Sequence, residues 1–196
     1  LEAGSYLLSD DEIEMLTVVR KHFKKVVLLL NVGNIIDMTD INRIAPDSVL
    51  YVWQGGMTGG KGTADVLTGK VSPSGKLPDT IAYKASDYPS DANFGREENR
   101  DIYAEDIYVG YRYFETFAKD KVLYPFGFGL SYTGFEIKTE KAEITEGAVK
   151  LSVSVKNIGS YKGKEVIEVY CEAPQGRLGK AARVLCGFEK TRELIP

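Results

Sequence analysis

The chain has few of the residue types on which many catalytic and metal sites depend. It holds one histidine and two cysteines among 196 residues. No Cys/His pair has the spacing of zinc ligands, and a Ser-His-Asp triad would need His22. That histidine stands among lysines in the last turn of a predicted helix, where a cation complements the helix dipole. We expect Cys171 and Cys186 to be reduced strand residues that pack as small hydrophobes, since two cysteines make no disulfide framework.

Long apolar runs and strong charge are also missing. The longest apolar run, residues 26–30, is far shorter than the ~20 residues that cross a bilayer. The net charge is −3 and no cluster of Lys and Arg occurs, so we expect neither a nucleic-acid nor a membrane partner. The first residues lack the basic, apolar and small-residue pattern of a signal peptide, which weakly favours the cytoplasm.

The first part of the chain alternates helical and strand patterns. Ser9 and Glu12 form a capping box, followed by apolar residues at helical spacing. The run 26–31 is continuously apolar, as in a strand that is buried on both faces of a parallel sheet. The further predicted elements are a helix over 38–44, a strand over 49–53 and a helix over 61–67. This order predicts an open α/β sheet.

The rest of the chain changes character twice. Prolines spread through polar segments in 70–131 predict an extended connector without a packed core of its own. From Phe135 the apolar period becomes two, and strands are predicted near 149–155, 165–171 and 182–188. Only four or five strands fit there, whereas a fibronectin-like sandwich takes about seven. We therefore interpret the chain as a fragment that would associate with itself, as a homo-oligomer, through uncovered strand edges.

Three motifs in the same order resemble glycoside hydrolase family 3, the β-glucosidase-type exo-enzymes. They are the glycine-rich segment 59–78, the charged and aromatic segment 105–114, and residues 124–133, Tyr-Pro-Phe-Gly-Phe-Gly-Leu-Ser-Tyr-Thr. The resemblance implies part of an α/β-sandwich domain over 1–82, an interdomain connector over 83–132 and part of a fibronectin type III-like domain over 133–196. It also implies a barrel domain elsewhere in the same polypeptide.

The resemblance implies hydrolysis of terminal β-linked glucose or xylose, without a cofactor, by two carboxylates on opposite sides of the bond. In the family the nucleophilic Asp comes from the barrel, within a Ser-Asp-aromatic motif that this sequence does not contain. The acid/base Glu comes from a segment shortly before the first helix. Glu2 is the candidate at that place, and an ordinary solvated glutamate is the alternative.

Four further residues are candidates for substrate binding. Asn31 and Asp37 follow the first strand, and Trp53 and Gln54 end the second, at the carboxyl edge where open α/β sheets place ligands. Asp37 could instead form a turn or cap a helix. The indole of Trp53 could stack on a sugar ring or belong to the core.

A second group is expected to brace the domain interface. Glu105, Asp106, Tyr108 and Arg112 form a charged and aromatic run, in which Glu105 and Arg112 could pair. Sugar binding is the alternative for this group.

Two other functions compete with the hydrolase interpretation. A non-catalytic carbohydrate-binding or interaction module would present aromatic side chains on the β-region, where only Tyr170 is expected to face outward. A nucleotide-binding domain is disfavoured, because the glycines in 55–62 lack the spacing of a phosphate-binding loop.

Overall fold

The computed structural model describes residues 4–94, 99–100 and 102–196 of the chain. Four helices and eight strands form its framework, together with short 3₁₀ turns at Gly56–Thr58, Ala85–Asp87, Pro89–Ala92 and Lys119–Lys121. In chain order the elements are α1 (Asp10–His22), β1 (Val27–Leu30), α2 (Thr39–Ile44), β2 (Ser48–Tyr51), α3 (Gly59–Leu67), β3 (Ile81–Ala82), α4 (Tyr111–Phe117), β4 (Val122–Tyr124), β5 (Phe135–Thr145), β6 (Ala148–Asn157), β7 (Val166–Cys171) and β8 (Val184–Lys190).

Helix α1 begins at the predicted capping box. The Ser9 side chain accepts a hydrogen bond from the Glu12 amide, and the Glu12 carboxylate accepts one from the Ser9 amide. The other end of the helix is tied to the sheet by Asp47, whose carboxylate accepts from the Val26 amide at 2.9 Å and from Arg20 at 3.1 Å. The Val26 amide, followed by the two cations beside it, holds the pKa of Asp47 below its usual value.

The predicted parallel strands are present as the pair β1–β2, with Leu28 opposite Val49 and Leu30 opposite Tyr51. The expectation that β1 is buried on both faces is wrong. Leu30 is 6% exposed, but Val27 is 51% and Leu29 39% exposed. Side chains alternate between the faces of a strand, and no described element covers the face that Val27 and Leu29 share.

The main core lies on the other face of this pair. Its most deeply buried members are Leu30, Met38, Ile41 and Ile81, to which α1 contributes Leu16. The core therefore connects α1 and α2 with β3, although β3 follows α3 in the chain.

A second core occupies the segment that composition predicts to be an extended connector. Phe114 of α4 is 1% exposed and packs with Ala82 and Ala118. Strand β3 pairs antiparallel with β4, which brings Ile81 opposite Tyr124. The expectation of no packed core here is wrong, because helix α4 buries one aromatic side chain despite the prolines around it.

Two of the sequence motifs pack against each other. The Leu77 amide donates to the Phe128 carbonyl at 2.8 Å, and the Gly127 amide donates to the Leu77 carbonyl at 2.9 Å. Lys76 reaches the Gly129 carbonyl at 3.0 Å and the Glu165 carboxylate at 2.8 Å. The residues after Tyr124 thus form turns that lie along another segment, and β4 ends where the aromatic and glycine alternation begins.

The remaining strands form two antiparallel hairpins, β5–β6 and β7–β8. As expected, Cys171 and Cys186 have free thiols, but both are exposed instead of buried. Cys186 lies at a register irregularity of the β7–β8 pair, where Tyr170 faces Leu185 and Val169 faces Gly187. His22 ends α1 as predicted and its Nδ1 lies 2.8 Å from the Val18 carbonyl oxygen.

Within the part of the chain that the structure describes, none of the helices has the length and apolar character needed to span a membrane. Within the same residues, no cluster of three or more His, Cys, Asp or Glu side chains could hold a metal ion.

Truncating Phe114 should show that α4 belongs to a true core. Phe114→Ala should lower the free energy of unfolding by about 3–5 kcal/mol, because a large apolar side chain is replaced by a cavity. Urea unfolding of the intact polypeptide measures this change. The control is Phe117→Ala in the same helix, where the ring is 61% exposed and a cost of about 1 kcal/mol or less is expected. An equal loss of unfolding free energy for the two substitutions would contradict the existence of the second core.

The contact between the two motifs should depend on Gly129. A Cβ at this position would lie 3.1 Å from Lys76 Cδ and closer still to the Gly75 backbone. Gly129→Ala should therefore destabilise the intact polypeptide by about 1–3 kcal/mol in thermal unfolding. Gly134→Ala is the matched control, since its Cβ would meet only the Ile158 side chain at 3.5 Å. A neutral Gly129→Ala would show that the two segments do not need this close approach.

Candidate functional site

The carboxyl ends of β1 and β2 bring the four predicted substrate-binding residues to one edge. Because the strands are parallel and in register, their following loops leave the sheet side by side, joined by the Val52 amide and the Leu30 carbonyl at 3.0 Å. Asn31 follows β1 directly, and Trp53 and Gln54 lie two and three residues beyond β2. The loops that carry these residues therefore leave the same edge of the strand pair, and their role in substrate binding stays a prediction.

Asp37 has a structural partner at this edge. Its side chain is buried, and Oδ1 accepts a hydrogen bond from the Thr39 amide at 2.8 Å at the start of α2. Its own amide donates to the Tyr6 carbonyl at 2.8 Å. Both contacts fit the turn role that the sequence left open, and they fix the loop between β1 and α2.

Trp53 combines a strained backbone with an aromatic contact. Its φ angle is +52°, in the left-handed region that residues with a large side chain seldom adopt. Its ring lies 4.9 Å from the ring of Tyr51, and the indole is half-buried. Strain of this kind costs about 1–3 kcal/mol and tends to occur at functional positions. The indole is thus held at the edge of the sheet, between the core and the solvent.

Gln54 and Asn31 are both exposed. The amide group of Gln54 lies over the other loop, because a Cβ at Gly33 would be 3.2 Å from Gln54 Nε2. The two loops thus contact each other, and polar amides line the edge beside the indole.

The segment that precedes α1 also reaches this edge. Tyr6 forms an edge-to-face contact with Tyr88, and the two hydroxyls lie 3.5 Å apart. Burial, then the hydrogen bond with Tyr88, raises the pKa of Tyr6 far above its ordinary value. Glu2, the candidate acid/base, lies outside the described residues.

The structure separates the second predicted group from this edge. Tyr108 stacks edge-on against Phe117 at 4.8 Å, and its hydroxyl approaches the loop after β7, where a Cβ at Gly179 would be 3.1 Å away. Asp106 is exposed, with a left-handed φ of +48°, in a turn that the Tyr108 amide closes on the Glu105 carbonyl at 2.8 Å. Tyr108 thus contacts the β-hairpin region, as a bracing role requires.

Glu105 and Arg112 are both described residues, and they do not form the ion pair that the sequence suggested. The Arg112 guanidinium carbon lies 5.8 Å from the centre of the Tyr111 ring, and its Nε is buried without a hydrogen-bond partner. The short helix α4 thus directs Arg112 toward Tyr111. The spacing of seven residues between Glu105 and Arg112 in the sequence does not reveal this orientation.

Sequence reasoning missed a cavity of about 300 Å³ between α4, the turn after β4 and the β7–β8 hairpin. Glu168, Tyr170 and Arg183 line it together with Tyr111 of α4. Tyr170 was expected to face outward, and that expectation is wrong, because its ring packs edge-on against Tyr111 at 5.9 Å. In the sequence, the signal for this arrangement was the two-residue spacing of Glu168 and Tyr170, because that spacing places both side chains on one face of β7. Burial and the bond to Glu168 raise the pKa of Tyr170.

A family model supports the resemblance over two thirds of the chain. The model of the glycosyl hydrolase family 3 C-terminal domain matches residues 2–132. Among curated proteins, a beta-glucosidase of Ruminococcus albus is 65% identical over 195 residues, covering 100% of this chain and 20% of that protein. Beta-glucosidase A of Butyrivibrio fibrisolvens is 46% identical and covers 98% of the chain, which spans 25% of its length.

Solved structures agree over the whole chain. A beta-glucosidase from Paenibacillus barengoltzii superposes with a TM-score of 0.94 at 54% identity, covering 100% of this chain and 22% of that one. Beta-glucosidase 3B from Thermotoga neapolitana, in complex with glucose, superposes with a TM-score of 0.91 at 40% identity, covering 100% and 28%. The chain thus spans between 20% and 28% of the length of these relatives. On the strength of the matched model and these identities, the chain belongs to glycosyl hydrolase family 3.

Proposed function

We propose that the polypeptide containing this chain is a retaining β-glucosidase that removes terminal β-linked glucose, or the related xylose, from oligosaccharides and glycosides. The observation that supports this most is 65% identity to a beta-glucosidase along essentially the whole chain. A relative of the same fold, beta-glucosidase 3B, was solved with glucose bound. In this proposal the chain contributes one wall of the active site, while a barrel domain elsewhere in the polypeptide contributes the nucleophile.

The proposed reaction is a double displacement between two carboxylates. In retaining enzymes these lie about 5–5.5 Å apart, one attacking the anomeric carbon and the other protonating the leaving oxygen. The nucleophilic aspartate would come from the barrel. The acid/base glutamate would come from the segment before α1, with Glu2 as the candidate in this chain, and no cofactor takes part in either step.

The carboxyl edge of β1–β2 would hold the sugar against that pair. Trp53 would offer an apolar ring face, since C–H groups of a sugar pack on aromatic rings. The exposed amides of Asn31 and Gln54 would exchange hydrogen bonds with sugar hydroxyls. Asp37 would act indirectly, by holding the loop after β1 through its bond to the Thr39 amide.

The finer division of the chain is part of the same proposal. Residues 1–82 would belong to an α/β-sandwich domain, 83–132 would connect it, and the hairpins β5–β6 and β7–β8 would belong to a fibronectin type III-like domain over 133–196. The contacts of Tyr108 with Phe117 and the loop around Gly179 support a structural role for the run that contains Glu105 and Asp106. The inward position of Tyr170 removes the one aromatic residue that favoured a separate sugar-binding surface.

The proposal predicts activity for the full-length polypeptide and none for this chain by itself. The full-length protein should hydrolyse p-nitrophenyl β-D-glucoside and release glucose with its β-configuration retained, as proton NMR of the first product shows. The 196-residue chain should be inactive, because half of the carboxylate pair lies elsewhere. Release of α-glucose first would contradict the double displacement.

A Glu2→Gln version of the full-length polypeptide tests the acid/base assignment separately. If Glu2 is the acid/base, hydrolysis of glycosides with poor leaving groups should fall by roughly 100-fold or more, because the leaving oxygen loses its proton donor. Substrates with dinitrophenol, which leaves without protonation, should be much less affected. Unchanged rates on both substrates would place the acid/base at another glutamate.

Trp53 should be important for binding more than for the chemical step. Trp53→Ala in the full-length polypeptide should raise KM for cellobiose roughly three- to tenfold, since an aromatic contact contributes about 0.5–1.5 kcal/mol. Trp53→Phe should restore much of the loss. The control is Tyr161→Ala, an exposed aromatic residue after β6, which should leave KM unchanged. A Trp53→Ala protein with unchanged KM and lowered thermal stability would make the indole a core residue instead.

A further inference from the structure

Tyr51 lies where the two loops of the carboxyl edge leave the sheet. It is the last residue of β2 and stands opposite Leu30, the last residue of β1, in the parallel register. The loop that begins at Asn31 therefore starts beside it, and Trp53 follows two residues later in the other loop. The ring of Tyr51 also packs against the main core. Tyr51 thus belongs to the core and borders both loops of the edge.

The hydroxyl of Tyr51 holds the loop that follows β1. Its oxygen accepts a hydrogen bond from the Ile36 amide at 3.3 Å, and it donates to the Met38 sulfur at 3.6 Å. Both partners are buried, so water does not easily replace the hydroxyl. Burial raises the pKa of Tyr51, so the hydroxyl keeps its proton and remains a donor. The hydroxyl therefore fixes the end of this loop from the side of the core.

The ring of Tyr51 supports the indole of Trp53. The two rings lie 4.9 Å apart, with their planes tilted by 40°. The left-handed φ of Trp53, +52°, is of the kind that persists only where surrounding contacts hold it. The ring of Tyr51 is one such contact, and the bond of the Val52 amide to the Leu30 carbonyl holds the backbone between the two aromatic residues. The position of the indole therefore depends on Tyr51.

The polar part of the edge depends on the same loop. A Cβ at Gly33 would lie 3.2 Å from Gln54 Nε2, so the amide group of Gln54 rests on the loop that follows β1. A displacement of this loop would move Asn31 and remove the support of Gln54. Since the hydroxyl of Tyr51 fixes the loop and its ring fixes the indole, the polar and aromatic parts of the edge take their positions from one phenol.

We propose that Tyr51 is a positioning residue for sugar binding, which couples the loop after β1 to the indole of Trp53 and thereby sets the affinity of the edge. This inference rests on the proposed function, in which the edge contacts the substrate. The hydroxyl of Tyr51 is engaged with Ile36 and Met38, so the phenol acts on the sugar through its neighbours. Its loss should change substrate affinity much more than bond cleavage.

Two variants of the full-length polypeptide separate the hydroxyl of Tyr51 from its ring. Tyr51→Phe should raise KM for cellobiose about two- to fivefold with kcat nearly unchanged, which is the signature of lost binding in both ground and transition states. Tyr51→Leu also removes the ring and should raise KM about tenfold, so the phenyl ring of Tyr51→Phe restores part of the loss. Unchanged KM in both variants would overturn the proposal.

The matched control removes another hydroxyl from the same core. Tyr124 lies on β4, packs against the main core and donates to Asn42 Oδ1 at 3.1 Å. Tyr124→Phe should leave KM for cellobiose unaltered, because this hydroxyl holds neither loop of the edge. An increase in KM equal to that of Tyr51→Phe would show a general effect of core stability and would overturn the positioning role.

A double-mutant cycle tests whether Tyr51 acts through the indole. In a Trp53→Ala background, the effect of Tyr51→Leu on KM should fall from about tenfold to about the two- to fivefold of Tyr51→Phe, because the ring has no indole left to support. A tenfold effect in both backgrounds would contradict the coupling between the two side chains.

Fluorine NMR of the full-length polypeptide, labelled with 5-fluorotryptophan, gives a readout that does not depend on activity. The signal of Trp53 is the one that Trp53→Phe removes. Tyr51→Leu should shift or broaden this signal, whereas Tyr124→Phe should leave it unchanged. An unaltered signal in Tyr51→Leu would overturn the proposal. If the polypeptide hydrolyses no β-glucoside, the proposed hydrolase fails, and the fluorine signal still decides whether Tyr51 positions the indole.

Discussion

Two backbone hydrogen bonds between Leu77 and the turn at Gly127–Phe128 hold the parts of this chain together. They join the segment after α3 to the segment after β4, across about fifty residues of sequence. Lys76, with only 19% of its side chain exposed, adds a bond to the Gly129 carbonyl and an ion pair with Glu165 at the entrance to β7. Since the contact is backbone to backbone, glycine is required where the segments approach. The β3–β4 pair on one side and the β7–β8 hairpin on the other both depend on this contact for their positions.

The edge beside Trp53 and the cavity beside Glu168 follow from different parts of this arrangement. The edge beside Trp53 needs only the parallel pair β1–β2, because loops that follow parallel strands emerge at the same end of a sheet. The cavity beside Glu168 needs the contact between the motifs, since one of its walls comes from β7 and the other from α4 and Phe126. A change that loosens the turn at Gly127 would therefore affect the cavity more directly than the edge.

Local signals allowed much of the first half of the chain to be predicted. The capping box at Ser9, the apolar run before Asn31 and the helical spacing after Gly59 each depend on residues close in sequence, and each element formed where it was expected. The same holds for the period-two strands from Phe135 onward. Burial was predicted less well. Val27 and Leu29 are apolar but exposed, and Phe114 is buried within a segment rich in proline, because burial depends on which distant elements cover a face.

The sequence by itself determined the family, the order of the elements and the edge at which Asn31, Trp53 and Gln54 stand, because motifs, caps and strand periods are encoded locally. The tertiary structure alone decided that Asp37 binds the Thr39 amide, that Arg112 faces Tyr111 instead of Glu105, and that Tyr170 turns inward to line a cavity. These outcomes depend on contacts between residues that are close in space, and several of the partners lie far apart in the sequence. Neither secondary-structure propensity nor the period of apolar residues describes such contacts, since these contacts exist only once the backbone has brought the segments together.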